Sequence, residues 1–112
     1  MTADKLTYGE AVDFCADHDG RLAVFASASE VDLAWSEVEE DLAHVWLGVN
    51  DLTEEGEWVS EQDGRPVTFT NWNWGEPNND WGKEHCVSMV EGGKWNDIDC
   101  MGRQRGLCQR DV

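Results

Sequence analysis

The sequence predicts an α+β domain, with two helices first and strands after them. Three observations carry that prediction. Apolar residues recur at helical spacing through the first forty-odd positions, behind two capping-box signatures. From Val45 onward the apolar residues gather in short runs bounded by Gly, Asn and Pro, as strands and turns do. Between Thr70 and Glu84 lies an irregular stretch rich in Asn, Gly and Trp, and long irregular loops in small domains usually carry function. Helices followed by strands is an α+β order.

Thr7-Tyr8-Gly9-Glu10 opens the first helix as a capping box. Ala11, Phe14, Cys15 and His18 follow on one face, and Gly20 is expected at the C′ position. Arg21 to Phe25 reads as a short strand or an extended link. Ser27-Ala28-Ser29-Glu30 opens the second helix, whose apolar stripe is Val31, Ala34, Trp35, Val38 and Leu42. Val45 to Val49 is a buried strand, and Glu57 to Val59 and Val67 to Phe69 are short ones. Cys86 to Val90 is a strand closed by Gly92-Gly93, and Lys94 to Asp97 and Gly106 to Gln109 complete the set. With no repeat, linker or low-complexity tract, residues 1–112 are expected to form one domain.

Composition excludes several classes. The net charge of −16 repels phosphate backbones, so no nucleic-acid partner is expected. No apolar run approaches the roughly 18 residues that span a bilayer, so no membrane insertion is expected. Seven Trp exceed what so small a core can hide, and some should serve a surface. Trp46, Trp58, Trp72 and Trp95 are expected in packing, while Trp74 fits either role. Four Cys suggest two disulfides in one of three connectivities, and hence an oxidising, extracellular setting. No Cys pair has the short spacing of a zinc knuckle. Met1 to Lys5 lacks the basic and apolar regions of a signal peptide, so a mature or excised domain is expected.

Oxygen donors cluster around the irregular stretch. Glu76 and Asn78 flank Pro77, Glu84 lies just beyond, and Asn96 and Asp97 are adjacent. Three carboxylates and two amide carbonyls are the hard donors that Ca²⁺ collects, about six to eight per ion. The lack of His and Cys among the five argues against zinc or copper. An X-Pro bond tolerates cis geometry, and a cis Glu76-Pro77 bond would turn both neighbours toward one point. A Cys86–Cys100 bond would bring Glu84 near Asn96 and Asp97.

The chain resembles a C-type lectin domain. The carrying residues are Trp46-Leu47-Gly48-Val49, Glu76-Pro77-Asn78, Glu84 followed by Cys86, Trp95-Asn96-Asp97, and Gly106-Leu107-Cys108. The resemblance runs from the first helix to Cys108 and implies two small antiparallel sheets, a long calcium-binding loop region, and the disulfides Cys15–Cys108 and Cys86–Cys100. It also implies that Glu76, Asn78, Glu84, Asn96 and Asp97 hold the principal Ca²⁺ and hydrogen-bond a sugar whose vicinal hydroxyls coordinate that ion. A hydroxyl donates and accepts, so carboxylates and Asn amides can satisfy both sides of it.

In such domains Glu-Pro-Asn, as opposed to Gln-Pro-Asp, goes with equatorial 3- and 4-hydroxyls. Mannose, N-acetylglucosamine, glucose or fucose are therefore the expected ligands, and Trp81 is a candidate to stack on the sugar. Many relatives bind a second, auxiliary calcium. Asp51 and Glu55 match two of its ligands, Glu84 can be shared, and Asn79 stands where an acid is common. His85 stands where Asp is usual, and a hard cation gains little from imidazole.

A glycosidase reading of Glu76 and Glu84 is weaker than the ligand reading, and no Ser/His/Asp spacing is recognisable, so no enzyme is expected. The rival is a domain of this fold that binds a protein or an ice surface. A shallow single-sugar site binds weakly, so an oligomer or a multidomain parent is expected.

Overall fold

The computed structural model describes residues 2, 4–37, 44–78 and 82–110. Helix α1 spans Tyr8–Asp17 and starts where the capping box puts it. The Glu10 N–H donates to Thr7 Oγ1 at 3.3 Å, and the Thr7 N–H donates to Glu10 Oε1 at 3.0 Å. Its inner face buries Tyr8, Ala11 and Cys15. The helix ends earlier than Gly20. His18 is the C-cap and Asp19 takes the left-handed turn at φ 61°, a conformation a short polar side chain tolerates. Gly20 is thereby released to start strand β1, Gly20–Leu22.

Helix α2 spans Ala28–Glu37. Ser27 Oγ accepts from the Glu30 N–H at 3.3 Å, as expected, but the Glu30 carboxylate reaches the Ala26 N–H at 2.8 Å instead of returning to Ser27. Val31 is buried and Trp35 packs on the core, while Val38 and Leu42 lie outside the described residues.

The remaining strands are β2 Val45–Asn50, β3 Val59–Ser60, β4 Glu84–Met89, β5 Trp95–Asp99, β6 Arg105–Gly106 and β7 Cys108–Arg110. Two sheets result. β1 pairs antiparallel with β7, and the larger sheet runs β3-β2-β4-β5 with β6 beside β2. The β2–β6 pairing is parallel, so the larger sheet is mixed rather than purely antiparallel. Val67 to Phe69 does not form a strand. Pro66 offers no N–H to a ladder, and the contact shrinks to a Val59–Pro66 bridge and a Val67 N–H bond to Trp58 O at 3.1 Å.

All six residues of β2 are buried, which makes it the spine of the molecule. Gly48 in its centre lets the chain of β1 approach, since a Cβ there would sit 2.7 Å from Leu22 O. Trp95 on β5 is fully buried and meets Trp72 and Phe69 edge-on, and Trp58 packs against Trp72 in turn. Trp46 is also fully buried, edge-on to Tyr8. All four indoles expected in packing are there.

Cys15 bonds Cys108, tying α1 to β7, and Cys86 bonds Cys100, closing β4 on the end of β5. The segment before α1 pairs with the C-terminal part of the chain, through Thr2 N–H to Gly106 O at 2.9 Å and a Leu6–Gln104 bridge. Among the described residues no helix is long and apolar enough to cross a membrane.

Candidate functional site

The β4–β5 ladder carries three of the expected ligands. Asp97 pairs with Val87, Asn96 with Ser88 and Glu84 with Asp99, with an irregularity between Glu84 and Cys86. The loop before β4 carries the other two. A turn closed by the Glu76 N–H on Asn73 O at 3.0 Å delivers Glu76 to the ladder, and the Glu76–Pro77 peptide is cis. The Asn78 N–H then donates to Asp97 Oδ1 at 3.0 Å, fastening the loop to β5.

The result is a convergence of acids. One carboxylate oxygen each from Glu76, Glu84 and Asp97 lies within 4.8 Å of the others. Asp97 is buried, Glu76 and Glu84 are half-buried, and Asn78 is exposed at the rim. Crowding shows in the electrostatics. Burial, then a hydrogen bond to Asp97 and its charge, push the Glu76 carboxyl up to about 7. Asn96 Oδ1, on the residue next to Asp97, is buried with no hydrogen-bond partner among the described residues. A buried carbonyl oxygen left unpaired costs roughly 1–3 kcal/mol, so it calls for a partner that the described residues do not supply. Three converging carboxylates beside an orphaned amide oxygen fit a hard divalent cation.

A second group lies on the other side of β4. His85 Nδ1 is 3.0 Å from Asp51 Oδ1 and 3.3 Å from Glu55 Oε1, and His85 Nε2 is 3.2 Å from Gly82 O. Asp51 is 2% exposed and its Oδ2 accepts from the Gly56 N–H at 2.9 Å. Burial alone would lower the His85 pKa, but the hydrogen bond and charge of Asp51, the Gly82 carbonyl and Glu55 together raise it. The hydrogen bond to Asp51 raises Glu55 as well. In the sequence His85 is visible only as a misfit among oxygen donors. The fold makes it the hub of this cluster, because the β2–β4 pairing sets Asp51 N–H on His85 O at 3.0 Å.

Of the other candidates, Asn79 and Trp81 lie outside the described residues. Trp74 is 97% exposed, on the turn just before Glu76. Asp99, opposite Glu84 in the ladder, accepts from the Met101 N–H at 2.9 Å and so holds the turn after β5.

The profile of the Lectin C-type domain family matches residues 4–110. The chain belongs to that family. A C-type lectin domain with two disulfides, two helices and two sheets is what the sequence led us to expect. Collectin-11 of Danio rerio is 34% identical over 112 residues, which covers 99% of this chain and 41% of the collectin. The chain thus spans less than half the length of that relative. Among solved structures, the cow carbohydrate-recognition domain of CD23, determined in the presence of a GlcNAc2Man3 oligosaccharide, has a TM-score of 0.84 and 31% identity, covering 96% of this chain and 83% of that one. A calcium-independent type II antifreeze protein shares the C-type lectin fold at a TM-score of 0.81 and 26% identity, covering 95% of this chain and 79% of that one.

Proposed function

We propose that this C-type lectin domain binds mannose-type sugars in a calcium-dependent manner, outside the cell. The orphaned Asn96 Oδ1 beside three converging carboxylates carries this reading. Glu76, Asn78, Glu84, Asn96 and Asp97 would hold the ion. When bound, calcium would supply the positive charge on which vicinal sugar hydroxyls could be coordinated.

The chain's own groups do the rest. Carboxylates at the rim accept hydroxyl protons, and the exposed Asn78 amide is placed to donate to a hydroxyl oxygen. The Asn78 N–H on Asp97 Oδ1 ties the loop to β5 and so joins the two halves of the site. The sequence Glu76-Pro77-Asn78 favours equatorial 3- and 4-hydroxyls, as in mannose, N-acetylglucosamine, glucose and fucose, over galactose. Trp81 would add stacking. Weak single-site affinity would call for several copies, in an oligomer or a multidomain parent.

The antifreeze relative favours one second reading, in which the same fold grips an ice or protein surface without calcium. Affinity columns separate the two. The domain should be retained on mannose-agarose in calcium, pass through galactose-agarose, and leave the mannose column on chelation. Passage through every sugar column, or retention that a chelator does not reverse, would defeat the sugar reading.

A further inference from the structure

We propose that Asp51, Glu55 and His85 form a separate metal site for a borderline transition ion, Zn²⁺ being the expected occupant. The donor set points there. Imidazole suits zinc, copper and nickel, whereas calcium collects oxygens and gains little from a ring nitrogen. Imidazole nitrogen and carboxylate oxygen are both zinc donors, and three protein ligands with a fourth position open is the count of a catalytic-type zinc site.

The spacing agrees. Donors about 2.0–2.1 Å from a tetrahedral zinc stand about 3.3 Å from one another. His85 Nδ1 is 3.0 Å from Asp51 Oδ1 and 3.3 Å from Glu55 Oε1, and the three ligand atoms lie within 4.8 Å of one another.

The imidazole is also oriented independently of the acids. A carbonyl can only accept, so the Nε2 facing Gly82 O at 3.2 Å carries hydrogen. That leaves Nδ1 as the atom aimed at two carboxylates. The two carboxylates and this ring nitrogen thus face a common point. An Nε2–H on a backbone carbonyl is the outer-shell bond that metal-ligating histidines usually make.

Asp51 is likewise braced, by the Gly56 N–H on its other oxygen. The Asp51 side chain is fully buried while those of His85 and Glu55 are 29% and 51% exposed, so an ion has a way in. All four cysteines are in disulfides, and no thiol competes for zinc.

The test reads zinc directly, so its outcome does not depend on sugar binding. Chelator-stripped protein, returned to saturating calcium, is titrated with Zn²⁺ by calorimetry, and Co²⁺ is added separately as a spectroscopic probe. A single zinc should bind in the presence of calcium, and Co²⁺ should give the intense visible bands of a tetrahedral site. His85→Gln should weaken zinc by more than the about 10–100-fold that loss of an outer-shell partner costs, and should abolish the Co²⁺ bands. Retention on mannose-agarose should be unchanged in that variant. Glu55→Gln, at an exposed position, gives a second variant with the same expected loss should His85→Gln fold poorly. No zinc uptake would mean that Nδ1 holds only a proton, and would overturn the proposal. So would displacement of zinc by calcium, or equal uptake in both variants, which would place zinc on His18 or His44.

Discussion

The Glu76 carboxyl is where the charge crowding becomes measurable. In the metal-free protein it is pushed up to about 7 from an ordinary 4.5. The folded state then holds this proton more tightly than the unfolded chain does. Its contribution to stability is therefore complete below about pH 4.5 and is lost as pH rises through about 7. In chelator, the urea midpoint of the parent chain should fall relative to that of Glu76→Gln over that interval. Parallel profiles for the two proteins would mean that neither burial nor Asp97 raises the Glu76 carboxyl. Asp97 gives a second prediction. It is buried and accepts the Asn78 N–H, so Asp97→Asn keeps the shape and removes the charge. Extracellular modules hold calcium at about 0.1–1 mM. Asp97→Asn should lose mannose retention at calcium well above that range while both disulfides stay formed, which thiol titration would check. Retention that survived would move the ion elsewhere. Glu76 and Asp97 were legible in the sequence because each sits on a short motif, and Glu84 because it precedes Cys86. The role of His85 was not. It depends on a contact between residues 34 apart, and no local pattern reports which way an imidazole faces across a ladder.

Elements were legible in proportion to their length. Both helices begin at the Ser or Thr that the pattern marked, because capping is a local interaction that needs no tertiary partner. β2 and β4 are long enough for an apolar run to betray them. β3 and β6 have two residues each and exist only because β2 is beside them, and a two-residue strand has no periodicity to read. The parallel course of β6 is equally invisible, since it follows from the path of the chain after Cys100. What ties these short pieces down is covalent. Cys86–Cys100 closes a separation of 14 residues and Cys15–Cys108 one of 93. On the chain-entropy account, replacing the first pair by Ala should cost about 3 kcal/mol and the second about 4.7 kcal/mol. Urea denaturation of the two double variants would measure both. If the Cys86/Cys100 variant proved the weaker protein, the order would be set by strain or packing around β4 rather than by loop length.

At the scale of the molecule, the distinguishing quantity is charge. A body of 33 × 27 × 24 Å carries a formal −16. The Debye length is about 30 Å at 0.01 M salt, comparable with the molecule itself, and about 10 Å at 0.1 M. At low salt, then, most of the acids repel one another across the whole surface, and the unfolded chain relieves that repulsion by spreading them out. With 8 Lys and Arg against 24 acids, neutralisation by ion pairs is limited. The Arg103–Glu10 pair, at 3.4 Å and well exposed on both sides, is a surface pair that water and salt screen. Filling the acid clusters with divalent ions removes only part of the excess. Raising NaCl from about 0.01 M to about 0.1 M and beyond should therefore raise the melting temperature, with calcium held saturating throughout. Each kcal/mol of relieved repulsion is worth about 4 °C in a domain of this size. Scanning calorimetry across the salt series would show it. A midpoint that stayed level or fell would mean that the acids are spaced well enough, or paired closely enough, for the excess charge to cost the fold nothing.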